Sequence, residues 1–365
     1  MSTLDVKQMS FVEAGVYRRK GLNERLDRIA ALIDWTAIER ELAPLAPGRR
    51  GAPGYPPVVL FKAVLLAQWN GLSDEAMEAM LADRWPFQRF CGLDPGRACP
   101  DHATLWRFRE GLAKAGLADS LFAGINRQLD ARGLFLRKGT LIDATLVEAQ
   151  AARPAPPKAG SPEAAAAQPA VQGGKPGGKP ESLLVHSKTD PDARWTKRGA
   201  KRHFGYKGHI GADQGSGLIR HQAFTSAEVN ETLVADRLIC GDERAVYADK
   251  AYDSHGRTAR LKDLGIKCRI QKRANKHHAL SRRDTRRNDL IGRVRGRVAV
   301  FAHLKRITGY RTVRYFNKAR NAVQFALLRI AYNLFKATRP AQEKETVPKP
   351  PTTRNRHRTA NARLT

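Results

Sequence analysis

The chain has 365 residues, a formal net charge of +30 and a sequence pI of about 10.6. That length exceeds one small core and suggests two domains or one domain with a large insertion, and the charge points first to a polyanion, nucleic acid ahead of an acidic protein or a lipid surface. Four cysteines without a CxxC pair argue against a zinc site or a disulfide framework and fit a reducing cytosol, and the absence of any run of about 18 apolar residues excludes a membrane-spanning helix.

Residues 1–135 read as an all-helical domain. "NERLDRIAALIDWTAIERELAPL" carries apolar residues at helical spacing, and "PPVVLFKAVLLAQWN" is apolar nearly all round. A Gly-Leu break follows, with Ser73 as N-cap of the next helix; Asp101 or Thr104 caps the helix after "CGLDPGRACP". Trp69, Trp85 and Trp106 read as core. Short helices with tight breaks suit a compact bundle; a helix-turn-helix DNA reader and plain packing both fit the pattern.

Strand chemistry begins at residues 138–149. The following "AARPAPPKAGSPEAAAAQPAVQGGKPGGKPES" is a low-complexity segment, expected to be disordered over about 151–198. "YKGHIGAD" and "GLIRHQAFTSA" read as two strands joined by a turn at "DQGSG", "TLVADRLIC" as a helix, and "RAVYADKAYDS" and "IKCRIQK" as further strands. "DLIGRVRGRVAVFAHLKRITG" reads as one helix and "KARNAVQFALLRIAYNLFKAT" as a strongly apolar second, with "YNLFK" as packing. The basic tail, 341–365, is expected to be disordered. The element order describes an α/β structure with a mixed sheet. Most of the charge excess is late: residues 251–365 hold 30 Lys and Arg against 6 Asp and Glu.

Two carboxylates stand out. Asp143 lies inside the apolar run "GTLIDATLVEAQ", and Asp249 ends the run Ala245, Val246, Tyr247, Ala248. An ionised carboxylate in such a setting protonates, pairs or binds metal. If the two strands are neighbours, the charges repel, and a divalent cation would remove the repulsion; hard oxygen ligands suit Mg²⁺ or Mn²⁺. Taken singly, Asp249 also fits a turn or cap residue.

Three stretches, "LIDATLV", "VYADKAYDS" and "RVRGRVAVFAHLKRITGYRTVRYFNKARNAVQFALLRIAYNL", resemble bacterial DDE transposases of the insertion-sequence-5 type. "GYPPVVLFKAVLLAQWNGLSDEAMEAMLADRWPFQRFCGL" and "CPDHATLWRFREGL" resemble the helical domain that precedes the catalytic domain in that family, and "HFGYKGHIGAD" and "GLIRHQAFTSAEVNE" match as well. The likeness covers roughly residues 45–340. It implies an RNase H-like mixed sheet with flanking helices over residues 136–340, after the all-α N-terminal domain. It further implies two Asp and one Glu holding divalent metal, Mg²⁺ or Mn²⁺, two ions in an intact site. The activity implied is cleavage and strand transfer of double-stranded DNA at the terminal repeats of an insertion sequence. A homodimer is expected from the task of pairing two ends, and a bacterial cytoplasmic, nucleoid-associated location goes with it.

Carried over by residue, Asp143 and Asp249 match the two family Asp. The third position departs. The family pattern is Arg, three residues, Glu, six residues, Lys. Here Arg295 and Lys305 hold the outer places, but Ala299 stands where Glu is due and only five residues separate it from Lys305. Glu-His has been replaced by a single Ala, and no Glu lies between Glu243 and Glu343. Asp289 is ten residues earlier and points elsewhere on a helix. The expectation is a transposase with impaired or absent cleavage, or alternatively a catalytically inactive DNA-binding protein derived from one. A generic RNA-binding protein would explain the charge but not the paired acids. Arg295, Lys305, Arg306, Arg311 and Arg314 are candidate phosphate contacts, with ordinary surface charge as the competing reading. His209 fits either a substrate contact or a hydrogen-bonded sheet histidine, beside Tyr206 and Lys207.

Overall fold

The computed structural model describes residues 23–46, 54–94, 98–151, 187–274, 279–296, 300–307 and 309–339. The first part is helical: α1 (Glu24–Leu32), α2 (Trp35–Glu41), α3 (Pro57–Asn70), α4 (Asp74–Asp83), α5 (Trp85–Cys91), α6 (His102–Ala115) and α7 (Ala118–Ala131). Helix α3 is buried on all sides, as its composition requires, and stops at Gly71, which takes the left-handed φ of 66°. Ser73 caps α4 by accepting the Ala76 N–H at 3.2 Å. At α6 the cap is Asp101, which accepts the Thr104 N–H at 2.7 Å.

The tryptophans correct one expectation. Trp69 is half-buried and donates its indole N–H to the Ala331 carbonyl at 2.7 Å. Trp85 is also half-buried, but Trp106 is 47% exposed. The buried stripe of α6 runs through Leu105, Phe108 and Leu112. Trp106 lies one residue, about 100°, off that stripe.

Six strands form one mixed sheet: β1 (Thr140–Glu148), β2 (Arg194–Arg198), β3 (Lys201–Asp213), β4 (Ile219–Ser226), β5 (Ala245–Ala248) and β6 (Lys267–Ile270). The order is β2-β3-β1-β5-β6, with β4 also paired to β3. The β1–β3 and β3–β4 pairs are antiparallel, while β1–β5 and β5–β6 are parallel. This is the RNase H-like arrangement the resemblance implies. Helices α8 (Glu231–Ala235), α9 (His255–Asp263), α10 (Arg282–Gly296), α11 (Val300–Ile307) and α12 (Lys318–Ala337) flank it.

Strand β2 corrects the insertion boundary at about 198. Arg194–Arg198 pair with Gly205–Lys201, and Asp190 before them is fully buried, accepting the Tyr206 hydroxyl and, at 3.1 Å, the Asn317 N–H. A buried carboxylate with two donors fixes the chain well before 198. Residues 152–186 and the tail from 340 lie outside the described residues. The single helix expected over 289–309 is described as α10 and α11; Ala299, with 297 and 298, lies outside the described residues.

Helix α12 is the axis of the molecule. It packs on α3, α6, α7 and β4, and one apolar cluster runs from Leu26 and Phe61 through Tyr206 to Leu334. Buried Asn333 accepts the Ile219 N–H at 2.8 Å and donates to the Ile219 carbonyl at 2.7 Å, closing the free edge of β4 onto the helix. Tyr332 and Leu334, from "YNLFK", are buried in the same interface. No helix among the described residues is long and apolar enough to cross a membrane.

Gly208 on β3 faces Phe325 of α12 so closely that a Cβ would lie 2.2 Å from the ring. Gly208→Ala should cost about 1–3 kcal/mol in urea unfolding, because the ring is locked in the core. Gly256→Ala, in α9 with nothing within 4 Å, should leave the midpoint unchanged or raise it.

Candidate active site

Strands β1 and β5 bring the two acids together. Thr140 stands opposite Val246 and Leu141 opposite Tyr247. Carried forward two residues, the register sets Asp143 level with Asp249, one residue past the end of β5. Beyond this point the edge of β1 changes partner. Glu148 donates its N–H to the Arg311 carbonyl at 3.0 Å and accepts the Val313 N–H at 2.9 Å. The acids therefore stand where β5 has ended and residues 311–313 have not yet begun.

A guanidinium sits between them. Arg295 Nη2 is 3.5 Å from Asp143 Oδ1 and 3.8 Å from Asp249 Oδ2. Helix α10 is held for this purpose over the ends of β5 and β6. Arg287 donates to the carbonyls of Cys268 (2.8 Å) and Ile270 (3.2 Å), and Gln271 donates to the Asn288 carbonyl at 2.9 Å. Arg295 also donates to Gln271 Oε1 at 3.5 Å. Asp249 is both a site acid and a cap: its Oδ1 accepts the Ala251 N–H at 2.8 Å and starts the short 3-10 turn Lys250–Tyr252. Asp143 Oδ1 accepts its neighbour's N–H, from Ala144, at 3.0 Å.

The Asp143 side chain is half-exposed at 50%, more open than an apolar strand suggests, and Asp249 is at 35%. Even so, the Asp143 carboxyl is raised above the usual carboxylate range. Desolvation is the main cause, opposed by Arg295 and the Ala144 N–H and reinforced by Asp249. The two observations agree physically: solvent reaches one side of the carboxylate, while the sheet and α10 crowd the other. That side is a cleft of about 390 Å³ lined by Ile142, Asp143, Ile210, Arg295 and Phe301, among others.

The other residues singled out by sequence fall into two groups. Lys305, on α11, is half-buried; burial lowers its ammonium below the usual range, Arg198 and Arg311 push the same way, and Asp143 opposes. These cations thus lie within electrostatic reach of one another, and Lys305 within reach of Asp143. Arg306 is on the same helix, but its side chain lies outside the described residues. Arg314 is elsewhere. It donates to the carbonyls of Leu72 (3.0 Å) and Gly71 (3.5 Å), tying the loop to the end of α3. His209 is fully buried, bonded through Nε2 to Thr225 Oγ1 at 2.9 Å, and pushed down to about 3 by burial and Lys207, so it is a neutral sheet histidine. Asp289 is exposed on α10.

Sequence reasoning missed Arg198, exposed at the end of β2 with its charge acting on Asp143 and Lys305, and Glu231, at the start of α8. The hint for Glu231 was the cap residue Asn230 directly before it, which marks where a helix begins. Cys240, Asp242 and Glu243 have ligand atoms within 4.8 Å of one another. Their capacity is already used: Glu243 accepts the N–H groups of Cys240 and Gly241, Asp242 pairs with Arg137 and Arg220, and burial pushes the Cys240 thiol up to about 12.

Residues 135–334 match the family model "Transposase DDE domain". The chain belongs to the DDE transposase family. It is thus a transposase enzyme, and the family acts on DNA and generally uses divalent metal ions. Residues 16–111 match a second model, "Transposase domain (DUF772)", over the helical part of this transposase. Among solved structures, "Cryo-EM structure of piggyBac transposase synaptic complex with hairpin DNA (SNHP)" is similar at 11% identity and a TM-score of 0.40, over 89% of this chain and 74% of that one.

A carboxyl raised in the fold keeps its proton longer than in the unfolded chain. Its contribution to stability is therefore complete below the ordinary Asp value and is lost as pH rises through the raised one. In EDTA, Asp143→Asn should melt above the unmodified transposase at pH 7, with the gap closing by about pH 3.9, the ordinary Asp value. A lower melting point at pH 7 would show that the ionised acid is a net stabiliser.

Proposed function

We propose that this transposase cleaves DNA at the ends of an insertion sequence and joins the freed ends to new DNA. The single observation that carries the reading is the pair Asp143 and Asp249, held level on parallel strands and sharing one guanidinium within 4 Å. Two carboxylates this close, partly open to solvent, fit a hard divalent cation that keeps several waters, Mg²⁺ or Mn²⁺. Asp143 and Asp249 are the residues that would hold it, with Arg295 yielding its place between them. When bound, such ions activate water and stabilise the leaving oxygen of a phosphodiester, and an intact site takes two.

The protein's own part is orientation and charge. Asp249 is fixed by its cap on Ala251, and Asp143 by the sheet, so the two acids need no rearrangement to meet a cation. Lys305 and Arg311, with Arg295, line the approach with positive charge where a phosphate backbone would lie. Arg314 is left out of this set because its donors serve Gly71 and Leu72. The chemistry is attack of water, then of a DNA 3′-hydroxyl, on phosphorus, at terminal repeats paired by a homodimer.

The sequence carries Ala299 where the family pattern has Glu-His, one acid and one residue fewer. Cleavage is therefore reduced relative to a chain with Glu-His restored. The same feature favours a second reading, an inactive DNA-binding protein that occupies element ends. A strand-cleavage assay in Mg²⁺ separates them: the unmodified chain should cut slowly and the restored chain at least about tenfold faster. Equal rates would refute the impairment, and no cutting by the unmodified chain would support the second reading.

DNA affinity should fall steeply with salt. Lys305→Ala and Arg311→Ala should each weaken binding uniformly across sequences and reduce the slope of log K against log salt by about 1. Arg314→Ala should leave that slope unchanged. Equal slopes for all three variants would remove Lys305 and Arg311 from the DNA path.

A further inference from the structure

Helix α10 carries two sets of arginines, and the fold uses only one of them. On the side packed against the sheet, Arg287 holds the Cys268 and Ile270 carbonyls and Arg295 meets the two acids. On the other side Arg282, Arg283, Arg286 and Arg293 are all exposed. Among the described residues none of these four guanidinium groups has a hydrogen bond or an ion pair. At about 100° per residue, Arg282, Arg286 and Arg293 fall within about 40° of one another, with about 6 Å and about 10 Å of helix axis between successive members. Arg295 lies about 160° round the helix from Arg293. The three arginines thus form a stripe on the face turned away from Asp143 and Asp249.

The fold gives this stripe no internal purpose. The helix has two acids, Asp284 and Asp289. Asp284 is spent on Lys272, whose Nζ is 2.8 Å away, and on the Ser281 hydroxyl at 2.9 Å. Asp289 is exposed on the stripe side and forms no ion pair among the described residues. Helix stability does not ask for the arginines either. Arg282 and Arg283 are the first two residues of α10, where the positive end of the helix dipole disfavours cations. Arg282 with Arg286, and Arg283 with Arg286, are like charges four and three positions apart, which destabilises a helix. A face serving solubility alone would mix the two signs. A protein partner would find little to bury, because Leu290, at 60%, is the one exposed large apolar side chain of this helix among the described residues. A regular polyanion fits better. Guanidinium forks take phosphates with two parallel bonds, and duplex DNA offers a charge about every 1.7 Å of its axis, so the stripe meets phosphates without an exact register.

We propose that the outer face of α10 is a second DNA-binding surface, where Arg282, Arg286 and Arg293 hold the phosphate backbone of a stretch of duplex lying across the helix from the two acids. This deepens the reading of the protein as one that cleaves and joins DNA, and rests on it. Contacts of this kind position a duplex and carry no sequence information, so the surface takes DNA of any sequence.

The test is binding of the full chain to a duplex of arbitrary sequence without a terminal repeat, read by fluorescence anisotropy over a salt series. The combined variant Arg282→Ala, Arg286→Ala, Arg293→Ala should reduce the slope of log K against log salt by about 2–3. Replacing the same three residues with Lys should keep most of the slope. The Ala variant should melt no lower than the unmodified chain, since it loses like-charge neighbours, so that weaker binding is not weaker folding. Arg286→Ala alone, with a slope change of about 1, serves if the combined variant does not fold. Adding Lys305→Ala to the combined variant should lower the slope by about 1 more, because separate surfaces contribute independently. If the combined variant keeps the full slope while Lys305→Ala reduces it, DNA is confined to the cleft and the inference is overturned. Loss of binding to duplex RNA with duplex DNA unaffected would overturn it as well. If no variant changes the slope, Lys305→Ala and Arg311→Ala included, the proposed DNA path falls first and takes the inference with it.

Discussion

One guanidinium is shared by two aspartates at the point where β1, the end of β5 and helix α10 meet. Asp143 and Asp249 are brought level by a parallel pairing only two residues long, at Thr140 and Leu141. Without a cation between them, like charges at this separation in partly desolvated surroundings would push the strands apart. Arg295 supplies the charge, and α10 exists in its position because Arg287, Asn288 and Gln271 fasten it to the end of β6. The site therefore holds one arginine against two acids. A divalent cation held by these acids, as proposed above, would displace Arg295 from between them.

The stiffness that tolerates this site comes from the other side of the sheet. Helix α12 runs through the middle of the molecule, and Gly208 lets it approach β3 at the distance of an aromatic ring. Its polar residues serve the same end: Asn333 satisfies the edge of β4, and Gln324 donates to Gln68 of α3 at 2.8 Å. The helical region and the sheet consequently share one apolar cluster. An acid like Asp143, raised by its surroundings, is a local cost that a core of this extent offsets.

The acids were legible in the sequence because each interrupts an apolar run, and a carboxylate in such a run has few explanations. The mixed sheet was legible for a similar reason: the hairpin at "DQGSG", the period-two strands and the apolar last helix are local signals. Glu231 and Arg198 were not legible. Glu231 looks like an ordinary first-turn residue after a cap, and only the fold shows that its turn is tied to the Asp249 turn through the Thr232–Ala251 bond across nineteen positions of chain. Arg198 belongs to a strand at the end of a low-complexity stretch, and only the pairing with β3 and the burial of Asp190 reveal that strand. Arg314 erred the other way. It is close in sequence to the site residues, but its side chain turns back to the carbonyl end of α3.

By itself the sequence determined the kinds of element, the cap at Ser73, the polyanion-seeking charge and the two acids that interrupt apolar runs, because these follow from short-range periodicity and from the cost of placing charge among apolar residues. Only the tertiary structure decided that Arg295 sits between those acids while Arg314 turns away to the end of α3. Those outcomes depend on contacts between residues tens to hundreds of positions apart, set by strand register and by helix packing, and no local pattern encodes them.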